Sequence, residues 1–127
     1  MTARVLPPTP ESLARAADIL RIGGLVAMPT ETVYGLACDG TNADAVACLY
    51  EAKGRPSFNP LIAHVASQAM AEREAVFSPL ARKTAEHFWP GPLTLVLTVA
   101  KTGKVCDLAR AGLDTIALRR PAHPVAQ

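Results

Sequence analysis

Trp89-Pro-Gly-Pro92, followed at once by Leu93-Thr-Leu-Val-Leu-Thr-Val99, is the segment that most narrows the fold. Two prolines within four residues stop a helix, because each lacks an N–H and its ring clashes with the preceding turn. The seven residues after them are apolar and β-branched, which predicts a strand. Upstream, Ser78-Pro79 predicts the start of the helix that these prolines end, with serine as cap and proline in the first helical position. A helix and a strand set back to back point to an α/β or α+β chain built on a twisted sheet.

The remaining punctuation agrees with that class. Thr9 reads as a cap, with Pro10 first in the helix and Glu11 near its positive end. Leu13, Ala16, Ala17 and Leu20 recur at helical spacing, and Gly23-Gly24 ends the helix. Leu25 to Met28 reads as a short buried strand halted by Pro29, and Thr30 to Gly35 as a loop at its end. Asn42 or Thr41 caps a second helix with an apolar face of Val46, Leu49 and Tyr50 and an exit at Lys53-Gly54. Leu61 to Val65 is a further buried strand, a helix follows Ser67, and Thr115 to Arg119 is the last strand. Pro121 to Pro124 opens an element that is not completed, so the expectation is one domain, 1–127, incomplete at its C-terminal side.

Composition bounds the function. Half of the 127 residues are hydrophobic, which excludes a disordered chain. A chain of this size can bury roughly two-thirds of its unfolded surface. With 13 Lys+Arg against 11 Asp+Glu the net charge is +2, too small to mark a dedicated nucleic-acid binder, although a local basic patch stays open. Cys38, Cys48 and Cys106 are odd in number and lack C-x-x-C spacing, which argues against a disulfide framework or a zinc site. No apolar run nears the roughly 20 residues a membrane span needs, and the first residues carry no export signal. The expectation is a soluble, cytoplasmic protein with reduced cysteines.

Chemistry concentrates in three places. Lys53-Gly-Arg55-Pro-Ser-Phe-Asn59-Pro-Leu-Ile-Ala-His64 holds two cations, an amide and an imidazole in twelve residues. Basic residues at a helix C-terminus are common, but Pro56 stiffens the chain where the Arg55 guanidinium leaves it, which favours an anion-binding role. Asn59, held extended before Pro60, can offer its amide to a phosphate or ribose. His64 is either a satisfied strand histidine or part of this cluster. Thr30-Glu31-Thr32-Val33-Tyr34-Gly35 offers three hydroxyls suited to a small polar ligand, or is an ordinary turn. Thr115 and Arg119 share one strand face, and an arginine there must be exposed or paired with a ligand. Arg120 faces the other side, towards solvent. His87 lies on a helix surface or beside Trp89. The chain contains no G-x-x-x-x-G-K-[ST], G-x-G-x-x-G or G-x-S-x-G.

Four ordered motifs then resemble a known family. They are Pro29-Thr-Glu-Thr-Val-Tyr-Gly-Leu36, Lys53-x-Arg55-Pro-x-x-x-Pro-Leu61, Trp89-Pro-Gly-Pro-Leu-Thr94 and Arg119-x-Pro121-x-His123-Pro124. Together, from about Ile19 onward, they resemble the YrdC-like L-threonylcarbamoyladenylate synthases. The resemblance implies the α/β YrdC-like fold, an open, twisted, mixed sheet with flanking helices and a concave basic cavity. It implies a nucleotidyltransferase that joins L-threonine, bicarbonate or CO2, and ATP into threonylcarbamoyl-AMP and pyrophosphate. That product serves the threonylcarbamoyl modification of adenosine in tRNA, so tRNA and the threonylcarbamoyl-transferase complex are implied partners. Carried over by motif, Thr32 and His64 contact threonine and Arg119 binds its carboxylate. Arg55 and Asn59 hold the ATP phosphates, Thr115 faces the nucleotide, and Lys53 neutralises phosphate charge. Mg2+ would arrive with ATP, and no residue is required as a covalent nucleophile.

The chain departs from the family pattern in one respect: the Ser-x-Asn motif that follows in the family is absent, so weak or no activity is expected of these 127 residues. Three other readings are carried. One is the carbamoyl-adenylate domain of hydrogenase maturation proteins. Another is an RNA-binding module of the same fold, whose binding at +2 would be weak and salt-dependent. The third is a fragment without function.

Overall fold

Local capping chemistry sets the helix starts. In the computed structural model, which describes residues 2–127, Thr9 Oγ1 accepts from Ser12 N–H at 3.2 Å and opens α1 (Pro10–Arg21). Asn42 Oδ1 accepts from the Asp44 and Ala45 N–H groups and opens α2 (Ala43–Lys53), which Gly54 ends in the left-handed region at φ 61°. Asn42, rather than Thr41, is the cap. Ser67 and Ser78 cap α3 (Gln68–Glu74) and α4 (Pro79–Phe88) in the same manner. Each such cap is worth about 1 kcal/mol. No helix of the described residues is long and apolar enough to cross a membrane.

The strands form two sheets. β1 (Val26–Pro29) and β2 (Tyr34–Ala37) make an antiparallel ribbon, with Pro29 opposite Tyr34. Pro29 therefore belongs to its strand instead of halting it, which is tolerated because it sits at the strand's last position. Tyr34 and Gly35, expected in a loop, are strand residues. The turn between is closed by the Thr30 N–H donating to the Val33 carbonyl at 3.3 Å. β3 (Ile62–His64), β4 (Leu95–Thr98) and β5 (Thr115–Arg119) form the larger sheet in the order β3-β5-β4. β3 runs parallel to β5, and β4 antiparallel.

Register divides this sheet into two faces. Ala63, Leu95, Leu97, Ile116 and Leu118 point to one side and pack with Ala71 and Ala75 of the α3 region, Ala85 of α4, and Trp89. Ile116 and Leu118 are essentially inaccessible. Their neighbours in sequence point the other way: Ile62 is 51% exposed and Val96 64%. The strands expected to be buried at Leu25–Met28 and Leu61–Val65 are only partly so, with Ala27 and Ile62 exposed. A second cluster joins Val46 and Tyr50 of α2 to Ala109, with Cys38 and Cys106 packed against it. All three cysteines are free, and burial foremost pushes the Cys38 thiol up to about 11.

Candidate functional site

The open face of the sheet carries the chemistry. β5 contributes Thr115, Ala117 and Arg119 to it, β3 contributes Ile62 and His64, and β4 contributes Val96 and Thr98. In register, His64 lies opposite Arg119 and Thr98 opposite Thr115, with Ile62, Ala117 and Val96 forming the row between. Thr115 and Arg119 stand about 13 Å apart along the strand, at opposite ends of the face.

At one end, Arg119 is only 7% exposed. Its Nε–H donates to the Gly91 carbonyl at 3.2 Å, Nη1–H to Thr32 Oγ1 at 3.2 Å, and Nη2–H to Glu31 Oε1, with which it forms an ion pair. The other Glu31 oxygen accepts from the Ala122 N–H at 2.5 Å. Thr30 Oγ1 donates to the Val33 carbonyl at 2.7 Å, and its single proton is thereby spent. Thr32 must then be the donor in the 3.0 Å contact between the two hydroxyls. The result is a directed chain from Arg119 through Thr32 and Thr30 to the backbone. Burial pulls the Glu31 carboxyl upward. The Ala122 N–H, the carboxyl's own backbone N–H and the Arg119 charge outweigh that pull and hold it below the usual carboxylate range. Burial, and next the Arg119 charge, hold His64 below its ordinary value, with Glu31 opposing. His64 is therefore a neutral imidazole at pH 7.

This corrects the expectation for Arg119. The sequence offered exposure or a ligand as its only alternatives, whereas the protein's own Glu31 supplies the anion, brought from 88 positions away by the β1–β2 turn. Trp89-Pro-Gly-Pro92, expected only as a helix stop, also supplies the Gly91 carbonyl. The Gly91 N–H in turn accepts nothing but donates to the Arg120 carbonyl at 2.8 Å, tying the turn to the end of β5. A side chain at Gly91 would place its Cβ 2.6 Å from the Phe88 carbonyl oxygen, so only glycine fits.

The second cluster lies on the connection from α2 to β3. Arg55 is half-buried, and its guanidinium donates to the Asn59 carbonyl (3.3 Å) and the Pro60 carbonyl (2.8 Å), folding the loop around itself. The Tyr50 hydroxyl anchors the same loop by donating to the Asn59 carbonyl at 2.8 Å. Both Arg55 partners are neutral, and among the described residues no carboxylate forms an ion pair with it. Lys53 and Asn59 are exposed beside it, as is Thr115 at the far end of β5. Thr32, His64 and Arg119 are thus gathered at one place, Lys53, Arg55 and Asn59 at another, and Thr115 stands apart from Arg119. His87 lies on the exposed side of α4, its ring edge-on to Phe88 at 4.7 Å. Glu31 and Gly91 received no role from the sequence; the three hydroxyls around Glu31 were the available signal.

Known proteins share this arrangement of elements. Residues 18–127 match the family model Sua5/YciO/YrdC, described as telomere recombination. The chain is 49% identical over 115 residues to a threonylcarbamoyl-AMP synthase of Bacillus subtilis, covering 90% of this chain and 33% of that protein. It is 51% identical over 112 residues to the threonylcarbamoyl-AMP synthase of Pyrococcus abyssi, covering 87% and 32%. The crystal structure of P. abyssi Sua5 complexed with L-threonine superposes with a TM-score of 0.86 at 45% identity, over 97% of this chain and 35% of that one. The chain spans about a third of the length of these relatives. With an open mixed sheet, flanking helices and a match across residues 18–127, the chain belongs to the Sua5/YciO/YrdC family.

Proposed function

We propose that this chain carries the substrate-binding face of a threonylcarbamoyl-AMP synthase, a nucleotidyltransferase forming threonylcarbamoyl-AMP and pyrophosphate from L-threonine, bicarbonate or CO2, and ATP. The observation that carries the reading is the gathering of Thr32, His64 and Arg119 at one end of an open sheet face, with an uncompensated Arg55 on a neighbouring loop. The names and the threonine complex of relatives 45–51% identical support it.

In this reading Arg119 grips the threonine carboxylate, while Thr32 and neutral His64 present hydroxyl and imidazole to its polar groups. Arg55 and Lys53 draw the ATP phosphates by charge, Asn59 offers its amide, and Thr115 faces the nucleotide. Mg2+ comes with ATP as part of the substrate. The threonine amine adds to CO2 and gives up a proton to solvent, a carbamate oxygen attacks the α-phosphorus, and the α–β phosphoanhydride bond breaks to release pyrophosphate. The protein's share is alignment and charge neutralisation, with no covalent intermediate on a side chain. The open face would form one wall of a concave basic cavity within a domain spanning 1–127. The product would pass, in the cytoplasm, to the machinery that modifies tRNA.

Because the chain spans a third of its relatives' length, binding is the first readout. Isothermal titration should show L-threonine and Mg-ATP binding, with L-threonine preferred over D-threonine, and any pyrophosphate released should require both substrates. Absence of binding to either ligand would overturn the reading.

A further inference from the structure

Glu31 has no role in the proposal above, yet it is the anion on which the buried Arg119 depends. A guanidinium has five N–H donors. Among the described residues Arg119 spends three: Nε–H on Gly91, one Nη1–H on Thr32 and one Nη2–H on Glu31. One N–H on each terminal nitrogen remains, and two is the number a carboxylate takes in a bidentate pair. Glu31 therefore need not leave for a ligand to bind.

We propose that Glu31 is a positioning and specificity-determining residue. One carboxylate oxygen fixes the rotation of the Arg119 guanidinium, and the other pins the backbone just beyond β5 through Ala122. The two free N–H groups are thereby aimed at the open face. Glu31 also cancels the Arg119 charge, so this end of the face favours a net-neutral zwitterion such as an amino acid over a free phosphate. The Arg55 loop has no such compensation and takes the polyanion instead. The inference rests on the reading that an amino acid binds here.

Glutamine is the informative substitution. Glu31 accepts from two donors, Arg119 and Ala122, with one oxygen each. Glu31→Gln keeps one acceptor oxygen, and its NH2 must confront the other donor. Three readouts are taken on the same 127-residue chain: the Arg119 side-chain 15N–H signals without ligand, the L-threonine and Mg-ATP affinities, and competition by inorganic phosphate. In Glu31→Gln the Arg119 signals should broaden into solvent exchange and L-threonine affinity should fall about tenfold. Mg-ATP affinity should hold, and phosphate should begin to compete with threonine. Glu31→Asp, which keeps the charge, should stay insensitive to phosphate. Unchanged Arg119 signals in Glu31→Gln would overturn the proposal, as would equal weakening of both ligands alongside a fall in Tm, the mark of a purely structural pair. If the unaltered chain binds no threonine, the functional reading falls, and the Arg119 signals alone decide whether Glu31 positions it.

Discussion

The two faces of the β3-β5-β4 sheet are built from the same strands and do opposite work. Ile116 and Leu118 of β5 are sealed against α3, α4 and Trp89, while Thr115 and Ala117, one residue away on either side, lie on the open face. Arg119 is on the open face too, and yet is buried, because the β1–β2 turn and the Gly91 turn close over it. Apolar burial holds the sheet together on one side. On the other, hydrogen bonds hold polar groups in a fixed arrangement at a surface that keeps exposed apolar side chains at its centre.

The largest expected effect tests the packed side. Leu118→Ala removes a side chain with no solvent contact and should cost about 2–5 kcal/mol in urea denaturation. Val96→Thr on the opposite face should stay within about 0.5 kcal/mol. Equal losses would show that the two faces are not energetically distinct. Next, Arg119→Lys should weaken L-threonine at least about 30-fold by calorimetry, since a single ammonium cannot hold Gly91, Thr32 and Glu31 while pairing with a carboxylate. Retained affinity would move the amino-acid site elsewhere on the face. Arg55→Ala should weaken Mg-ATP about tenfold, flatten the salt dependence of its binding, and leave L-threonine unaffected. A matching loss of threonine would merge the two clusters into one site.

The smallest effect is in pH. Burial and Arg119 hold His64 below its ordinary value of 6.5, so below about that pH the unfolded chain binds more protons than the folded one. Stability therefore rises with pH across the interval between the folded and unfolded values, and declines as pH falls through it. His64→Gln should flatten that slope in denaturation curves measured from pH 7 to pH 5. An unchanged slope would mean that another group governs it.

Much of this architecture is local, and local features are legible. Thr9, Ser67 and Ser78 each cap a helix because a side-chain oxygen reaches a backbone N–H three residues on, an interaction that needs no distant partner. The grouping of Lys53, Arg55 and Asn59 was legible for the same reason, since the end of α2 and the loop after it hold all three within seven residues of chain. What was not legible lay across the chain. Burial of β1 and β3 was overread, because an apolar run does not reveal which side chains of a strand stay open to solvent. Pro29 was read as a terminator, since only its pairing with Tyr34 shows that the last position of a ribbon tolerates it.

Arg119 marks the boundary between the two kinds of information. The sequence by itself determined that an arginine would end the last strand, on the face of Thr115, and that it would need an anion if it were buried, because side chains alternate and a buried charge is costly. Only the tertiary structure decided that Glu31 is that anion and Gly91 a further partner. Those contacts close loops of 88 and 28 residues, and no local propensity encodes which distant turn folds over a strand end.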